Sequence, residues 1–226
     1  LSGDAIRRPI GEHLGFYTPS RILLYDRSDR ALKLVDLAED LVLYAIDVAS
    51  VQRGEPAEPV ARGWGTYSQA WSPDREHYAW LERDGTLSVL SLDDGSVRRT
   101  RCGQCVYGSF MYFSLDGETL LVPDRVSRSD DRQSTGLMFD IRQLQQQTFQ
   151  YGARLIDASY REQFVITWNK TRHTLTYREL GADAERGWGL SFPADTESAF
   201  IRGDLLFATT VSDDSGEVRV FSGVFR

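Results

Sequence analysis

Two tryptophans flanked by glycine are the side chains of this sequence best suited to contact a ligand or partner. The tetrapeptide Arg-Gly-Trp-Gly occurs twice, at 62–65 and 186–189, and it contains Trp64 and Trp188. An aromatic ring beside glycines can stack on a sugar, a base or a partner side chain, because it offers contact area at little entropic cost. We expect both rings to lie on a binding surface, and burial between neighbouring sheets is the alternative.

Three tyrosines and one polar segment complete the predicted binding surface. The tyrosines fall at comparable places in the repeat described below: Tyr67, Tyr107 and Tyr151. The segment 125–136 is polar and mixed in charge, which is typical of a solvated loop on a rigid scaffold. Its candidate contact residues are Arg128, Asp130, Asp131 and Arg132. A tolerated insertion that binds nothing is the alternative for this segment.

The residue pattern gives little support to catalysis. Glycoside hydrolases place two carboxylic acids on either side of the bond they cleave, but the expected strand starts have only Asp195 and Glu197 nearby. His77 and His173 lack an adjacent serine or cysteine nucleophile motif, and no glycine-rich phosphate loop occurs. We therefore expect a protein that is not an enzyme and uses no cofactor.

Cys102 and Cys105 form a Cys-Gly-Gln-Cys motif. This spacing supplies half of a tetrahedral zinc site, but a second pair of ligands is missing and the three histidines lie far away in the sequence. We expect no metal site. A local disulfide and two unpaired thiols both remain open, and so does the redox compartment.

Composition and charge restrict the possible partners. Of the 226 residues, 41% are hydrophobic, 33 are acidic and 26 are Lys or Arg, and the net charge is −7. No basic run could follow a phosphate backbone, so nucleic acid is not an expected ligand. The longest apolar run, Leu41 to Ile46, is far shorter than the roughly 20 residues of a membrane-spanning helix. A periplasmic or secreted location is favoured over the cytoplasm.

A repeat of about 45 residues must position these candidates. Trp71-Ser72-Pro73-Asp74 returns 42 residues later as Phe113-Ser114-Leu115-Asp116, and an apolar strand-like run follows each copy. A third-strand pattern recurs at 43–47, 87–91, 137–141, 175–178 and 218–221. This period is typical of a four-stranded propeller blade. Helical faces near 37–48 and 141–144 are the rival interpretation, and the repeat register favours strands.

The repeat predicts an all-β fold in which residues 1–226 form one domain, a five-bladed β-propeller of four-stranded antiparallel blades. The blades are expected near 21–62, 67–101, 109–150, 154–192 and 197–226. The last unit ends after its third strand, and we expect residues 10–17 to add the fourth strand and close the ring. The inter-blade loops would then share one face with the segment 125–136.

The repeats also carry a family resemblance. Trp-Ser-Pro-Asp at 71–74, Phe-Ser-Leu-Asp-Gly at 113–117 and the later Asp-Asp-Gly at 93–95 resemble the degenerate repeats of WD40-like and TolB-like β-propellers. The resemblance implies a propeller fold and a tendency to bind other macromolecules. We expect a non-enzymatic scaffold with a protein partner. A glycan-binding or glycan-cleaving propeller is the alternative.

Two carboxylates stand where the repeat register expects aromatic residues. Asp26 and Asp157 align with Trp71 and Phe113 near the end of an innermost strand. A buried carboxylate must be paired or strongly shifted in its pKa. Arg27 and Arg154 are the candidate partners, and structural ion pairs are the expected role.

Overall fold

The computed structural model describes residues 12–47, 65–66, 68–105, 109–123, 133–152, 154–181, 187–194, 196–202, 205–210 and 217–221. All regular secondary structure in these ranges is β-strand. Within the same ranges there is no helix long and apolar enough to cross a membrane. Side chains at the strand ends and across the fifth sheet are described only in part.

The strands form five antiparallel sheets, in each of which neighbours follow one another along the chain. The first sheet contains β1 (Glu12–Thr18), β2 (Arg21–Asp26), β3 (Ala31–Asp36) and β4 (Leu41–Asp47). The second contains β5 (Gly65–Thr66), β6 (Gln69–Trp71), β7 (His77–Leu81), β8 (Thr86–Ser91) and β9 (Val97–Arg101). The third contains β10 (Tyr112–Phe113), β11 (Thr119–Pro123), β12 (Gln133–Asp140) and β13 (Gln146–Gly152).

The last two sheets complete the described chain. The fourth sheet contains β14 (Arg154–Ser159), β15 (Phe164–Asn169), β16 (Thr174–Glu179) and β17 (Gly187–Ser191). The fifth contains β18 (Thr196–Arg202), β19 (Leu205–Thr210) and β20 (Glu217–Phe221). The described residues thus contain four sheets with at least four strands and a fifth sheet with three, so five complete four-stranded blades are not seen.

Burial rises from the last strand of each sheet towards its middle strands. Strands β2, β3 and β8 are buried along nearly their whole length, whereas β4, β9 and β17 are mostly exposed. A strand that is buried at consecutive residues is covered on both faces, because successive side chains point to opposite faces. The sheets therefore pack face to face, with their last strands outermost.

Hydrophobic clusters join each sheet to the next one along the chain. One cluster combines Leu23 and Leu32 of the first sheet with Tyr78 and Trp80 of the second. Three further clusters join the second sheet to the third, the third to the fourth and the fourth to the fifth. The core is thus a series of inter-sheet layers rather than a single central cluster.

Polar contacts supplement the layer between the third and fourth sheets. The Glu118 carboxylate accepts hydrogen bonds from the Arg142 guanidinium at 2.7 Å and from the Arg161 guanidinium. The Tyr160 backbone N–H donates to Thr119 Oγ1 at 3.0 Å. The two guanidinium groups lower the pKa of Glu118. Because Arg161 and Tyr160 follow β14, these bonds hold the fourth sheet against the third.

The repeat register is confirmed in four of the five sheets. The predicted third-strand patterns at 87–91, 137–141, 175–178 and 218–221 fall largely or wholly in β8, β12, β16 and β20. Each of these strands is the third one counted from β6, β10, β14 and β18, respectively. The helical interpretation of 37–48 is wrong, since residues 41–47 form β4.

The prediction for the first unit is wrong by one strand. The pattern at 43–47 lies in the fourth strand of its sheet, and the third strand is β3. Residues 12–17 do not complete the last blade, because β1 pairs with β2 across a turn at residues 19 and 20. Residues 10 and 11 lie outside the described ranges. The apolar run 41–46 resembled an interior strand, whereas it forms the exposed edge of the first sheet.

The repeated Ser-x-Asp sequences build the same turn in two sheets. Ser72 Oγ donates to Asp74 Oδ1 at 2.5 Å and accepts from His77 N at 2.9 Å. Ser114 Oγ donates to Asp116 Oδ1 at 2.5 Å and accepts from Thr119 N at 3.0 Å. Both serine side chains are buried. The motif therefore recurs because it satisfies the polar groups of a tight turn between the first two core strands.

Replacing Ser114 by alanine should destabilise the protein by about 1–3 kcal/mol, because the buried Thr119 N–H loses its side-chain acceptor. Urea unfolding should show a lower midpoint with an unchanged slope. Ser72→Ala should cost a similar amount, and the two losses should add, since the turns share no partner. A Ser114→Ala midpoint equal to that of the unmodified protein would contradict this role for the hydroxyl.

Candidate functional site

Most of the predicted binding residues lie outside the described ranges. These residues are Trp64, Tyr67, Tyr107, Arg128, Asp130, Asp131 and Arg132. The structure places the remaining two, Tyr151 and Trp188, in strands rather than in loops. The two lie in different sheets and in different environments.

Tyr151 belongs to the interior. Its side chain is 5% exposed and lies in the cluster between the third and fourth sheets. Its ring centroid is 5.5 Å from that of Phe149. A Cβ atom on Gly136 would come within 2.8 Å of the Phe149 ring and 3.3 Å of the Tyr151 ring, so glycine lets the two strands approach. Tyr151 therefore packs between sheets, which was the alternative at the sequence level.

Trp188 lies on the surface. It is 38% exposed and belongs to β17, the outermost strand of the fourth sheet. Its ring stacks on that of Tyr177, with centroids 5.4 Å apart and an interplanar angle of 4°. The two Arg-Gly-Trp-Gly copies are not equivalent, because Gly65 lies in the first strand of the second sheet and Gly187 in the last strand of the fourth.

Three aromatic rings form a continuous row across the fourth sheet, which we call the aromatic ladder: Phe164, Tyr177 and Trp188. The Phe164 and Tyr177 centroids are 5.4 Å apart, the same spacing as between Tyr177 and Trp188. Tyr177 is directly opposite Trp188 in the antiparallel register. The ladder thus runs from a half-buried ring on β15 to an exposed ring at the sheet edge.

The inner end of the ladder has an acidic environment. Burial raises the pKa of the Tyr177 hydroxyl, and the negative charges of Glu179 and Glu162 add to this effect. Glu179 is paired with Phe164 in the register of β15 and β16, so it lies on the ladder face of the sheet. An apolar ring surface with a nearby negative potential suits a ligand that has both a flat or apolar part and a positive charge.

Glycine allows β17 to lie close to β16. A Cβ atom on Gly187 would stand 2.6 Å from the Tyr177 carbonyl oxygen, a contact that any side chain would have to relieve by shifting the strand. Gly187, Gly189 and Ser191 alternate with Trp188 and Leu190, so the ladder face carries the large residues of this strand and the opposite face the small ones.

Cys102 and Cys105 form a disulfide bond. Cys102 is buried in the cluster between the second and third sheets, and Cys105 packs against that cluster. The bond closes a short loop after β9. The described residues contain no group of three or more His, Cys, Asp or Glu side chains that could hold a metal ion.

The two carboxylates singled out by the repeat register differ from each other. Asp26 forms an ion pair with Lys33 at 2.8 Å, and this bond together with the nearby Ser28 holds its pKa well below the usual range. Lys33 is thus a partner that the sequence did not indicate. Asp157 is buried and accepts a hydrogen bond from Leu115 N at 3.3 Å, which links the fourth sheet to the third.

The histidines serve the packing of the sheets. Burial lowers the pKa of the half-buried His77. His173 Nδ1 lies 2.8 Å from the Thr196 carbonyl oxygen, in a contact between the fourth and fifth sheets. Asp195 and the Glu197 side chain, the acids nearest the expected strand starts, lie outside the described parts of the structure.

Sequence reasoning missed two of the three ladder residues. Tyr177 and Phe164 were assigned to strands without a role. The available signal was the alternation in Thr174–Glu179, which places Leu175 and Tyr177 on one face of β16. That alternation shows which residues share a face, but it does not show that Trp188 is paired with Tyr177, because this pairing depends on the length of the connecting hairpin.

Successive antiparallel meanders packed face to face, with exposed last strands, define an all-β protein of the β-propeller type. No protein-family profile matches the chain, and no curated protein matches it. Two solved structures are similar in shape. One, at 14% identity and a TM-score of 0.47, is described as dihydro-heme d1 dehydrogenase NirN in complex with DHE; the similarity covers 91% of this chain and 42% of that chain.

The second similar structure is described as the beta-propeller domain of Cps50 (Swd1) from Myceliophteria thermophila. It is 13% identical with a TM-score of 0.45, and the similarity covers 91% of this chain and 68% of that chain. This chain therefore spans less than half of the first structure and about two thirds of the second.

Proposed function

We propose that this chain is a non-enzymatic scaffold that binds a protein partner, with the aromatic ladder as its anchor. The observation that carries the proposal is the exposure of Trp188 on a rigid strand, stacked on Tyr177. Aromatic rings held in place by their neighbours lose little entropy on binding, and they are enriched among the residues that dominate interface energies. The loop residues Trp64, Tyr67, Tyr107 and 128–132 remain further proposed contacts.

The proposed scaffold is a closed ring of five blades in which the fifth sheet packs against the first. A second cluster in the first sheet supports closure: Ile22, Leu24 and Val35. These side chains are 9%, 3% and 3% exposed. They alternate with the residues that face the second sheet, so they lie on the opposite face of the first sheet. Their burial calls for a neighbour on that face, and the fifth sheet is the remaining one.

Replacing Trp188 by alanine should abolish partner capture while leaving the fold intact. A central aromatic anchor is worth about 2 kcal/mol or more, which corresponds to an affinity loss of about 30-fold. Its stacking on Tyr177 contributes only about 0.5–1.5 kcal/mol to stability. The measurement is affinity capture from the native organism with the full chain, followed by quantification of the bound protein and a thermal melt of each variant.

Leu115→Ala is the matched control, because Leu115 is 37% exposed on a different sheet. Its partner recovery should equal that of the unmodified chain. Equal recovery by the Trp188→Ala variant would refute the ladder as the anchor. Hydrolysis of chromogenic glycosides, or binding on a glycan array that requires Trp188, would replace the protein-binding scaffold by the glycan-directed alternative.

A further inference from the structure

The outer edge of β17 differs from the other described sheet edges. Edge strands expose unpaired backbone N–H and C=O groups, and proteins protect them with charges or bulges. β9 carries Arg98, Arg99 and Arg101, and the pairing of β4 with β3 has a register shift between Leu34 and Val35. β17 is paired with β16 in an unbroken register and has no charged residue.

All five residues of β17 are exposed, including Leu190 at 40%. In β13, by contrast, the apolar side chains Phe149 and Tyr151 are buried and the exposed ones are polar or glycine. β17 therefore combines a regular edge, an exposed apolar face and the absence of protecting charge. This combination is the one that accepts an additional strand from another chain.

We propose that the partner binds by adding an extended strand along the edge of β17, with a Lys or Arg side chain opposite Trp188. This inference rests on the proposed protein-binding function and specifies the partner segment. In such a pair the partner residue opposite Trp188 lies on the same face, at about 4.5–5.5 Å between Cβ atoms. It would continue the row formed by Phe164, Tyr177 and Trp188.

Charge selects a cation for that position. The carboxylates of Glu179 and Glu162 act on the Tyr177 hydroxyl, so the ladder face is negative at its inner end. A cationic group over an indole ring is attracted by the ring quadrupole, and nearby carboxylates strengthen the attraction. A second copy of β17 would add only Gly, Trp, Leu and Ser to this position. The charge pattern thus favours a basic strand of another protein.

A synthetic peptide tests this inference directly. The probe is a fluorescein-labelled ten-residue peptide of alternating Val and Thr with one central Lys, and its binding to the full chain is measured by fluorescence anisotropy. We expect saturable binding that weakens at least about tenfold in Trp188→Ala and at least about fivefold when Glu replaces the peptide Lys. Leu115→Ala should bind the peptide as the unmodified chain does.

Backbone pairing has its own control. The same peptide with N-methylated amides keeps its side chains but cannot donate hydrogen bonds to the edge, so its binding should be lost. Undiminished binding of the N-methylated peptide, or equal binding of the Lys and Glu peptides, would overturn the inference. A dimer in solution that Leu190→Lys dissociates would assign the edge to a second copy and would overturn it as well.

The outcomes separate this inference from the proposed function. If no peptide binds but partner capture still depends on Trp188, strand addition is wrong and the scaffold function stands. If capture does not depend on Trp188, the proposed function is wrong whatever the peptide does. Binding of the Lys peptide together with Trp188-dependent capture supports both.

Discussion

A chain that begins at Ser20 should fail to fold cooperatively, because it lacks β1. This strand pairs with β2 from Glu12 to Thr18, and its partner strand is buried. Several backbone hydrogen bonds of about 0.5–1.5 kcal/mol each would be lost, together with the packing of Leu14 and Tyr17 on the cluster between the first two sheets. The total is comparable with the 5–15 kcal/mol of a typical domain. Circular dichroism during heating should show no sharp transition.

The matched control for this truncation is a chain that begins at Glu12, which keeps β1 and removes only the preceding residues. The comparison isolates the strand from the rest of the N-terminal segment. If the chain that begins at Ser20 unfolds at the same temperature and with the same cooperativity as the one that begins at Glu12, the first sheet does not need β1. The interface between the first two sheets would then have to be stable without it.

The repeat could be predicted where local chemistry recurs in the same form. The Ser-x-Asp turn depends on hydrogen bonds within a few residues, so its sequence signal is strong and it indicates the second and third sheets correctly. The first sheet lacks this turn. Its strands were shifted by one in the prediction, because the run Leu41–Ile46 resembles an interior strand and the two-residue turn between β1 and β2 was not recognised.

The candidate site could be predicted only in part. The exposure of Trp188 follows from its place on an outermost strand, and the flanking glycines indicated it correctly. Tyr151 has the same type of sequence context but is buried, because β13 continues past Phe149 and lies against the fourth sheet. Whether an aromatic residue ends outside or between sheets depends on which strand is outermost, and that is a property of the tertiary structure.

Partner choice for buried or half-buried charges was also beyond the sequence. Asp26 has Arg27 beside it in the chain, yet its ion pair is with Lys33 on the neighbouring strand. The hairpin of β2 and β3 brings these two side chains together, whereas residues adjacent in a strand point to opposite faces. The position of a salt bridge in a sheet follows from register, which a single sequence specifies weakly.

Replacing Trp71 by alanine should cost about 3–5 kcal/mol, the range typical of large-to-small changes at a buried aromatic residue. Trp71 is 7% exposed and fills the layer between the first two sheets. Its Nε1 donates to the Leu14 carbonyl at 3.2 Å, and the Arg75 guanidinium lies 5.1 Å from its ring. A Cβ atom on Gly15 would be only 2.8 Å from the ring, so no space is left unfilled.

Trp188→Ala removes the same atoms at an exposed position, so the difference between the two variants measures the inter-sheet packing itself. Chemical unfolding should place Trp71→Ala at least about 2 kcal/mol below Trp188→Ala. Trp71→Phe should lie between them, because phenylalanine occupies the equivalent position of the third sheet at Phe113 but leaves the Leu14 carbonyl without its indole donor. If Trp71→Ala is no less stable than Trp188→Ala, the first two sheets are not held together by this layer, and the stability of the ring must come from elsewhere.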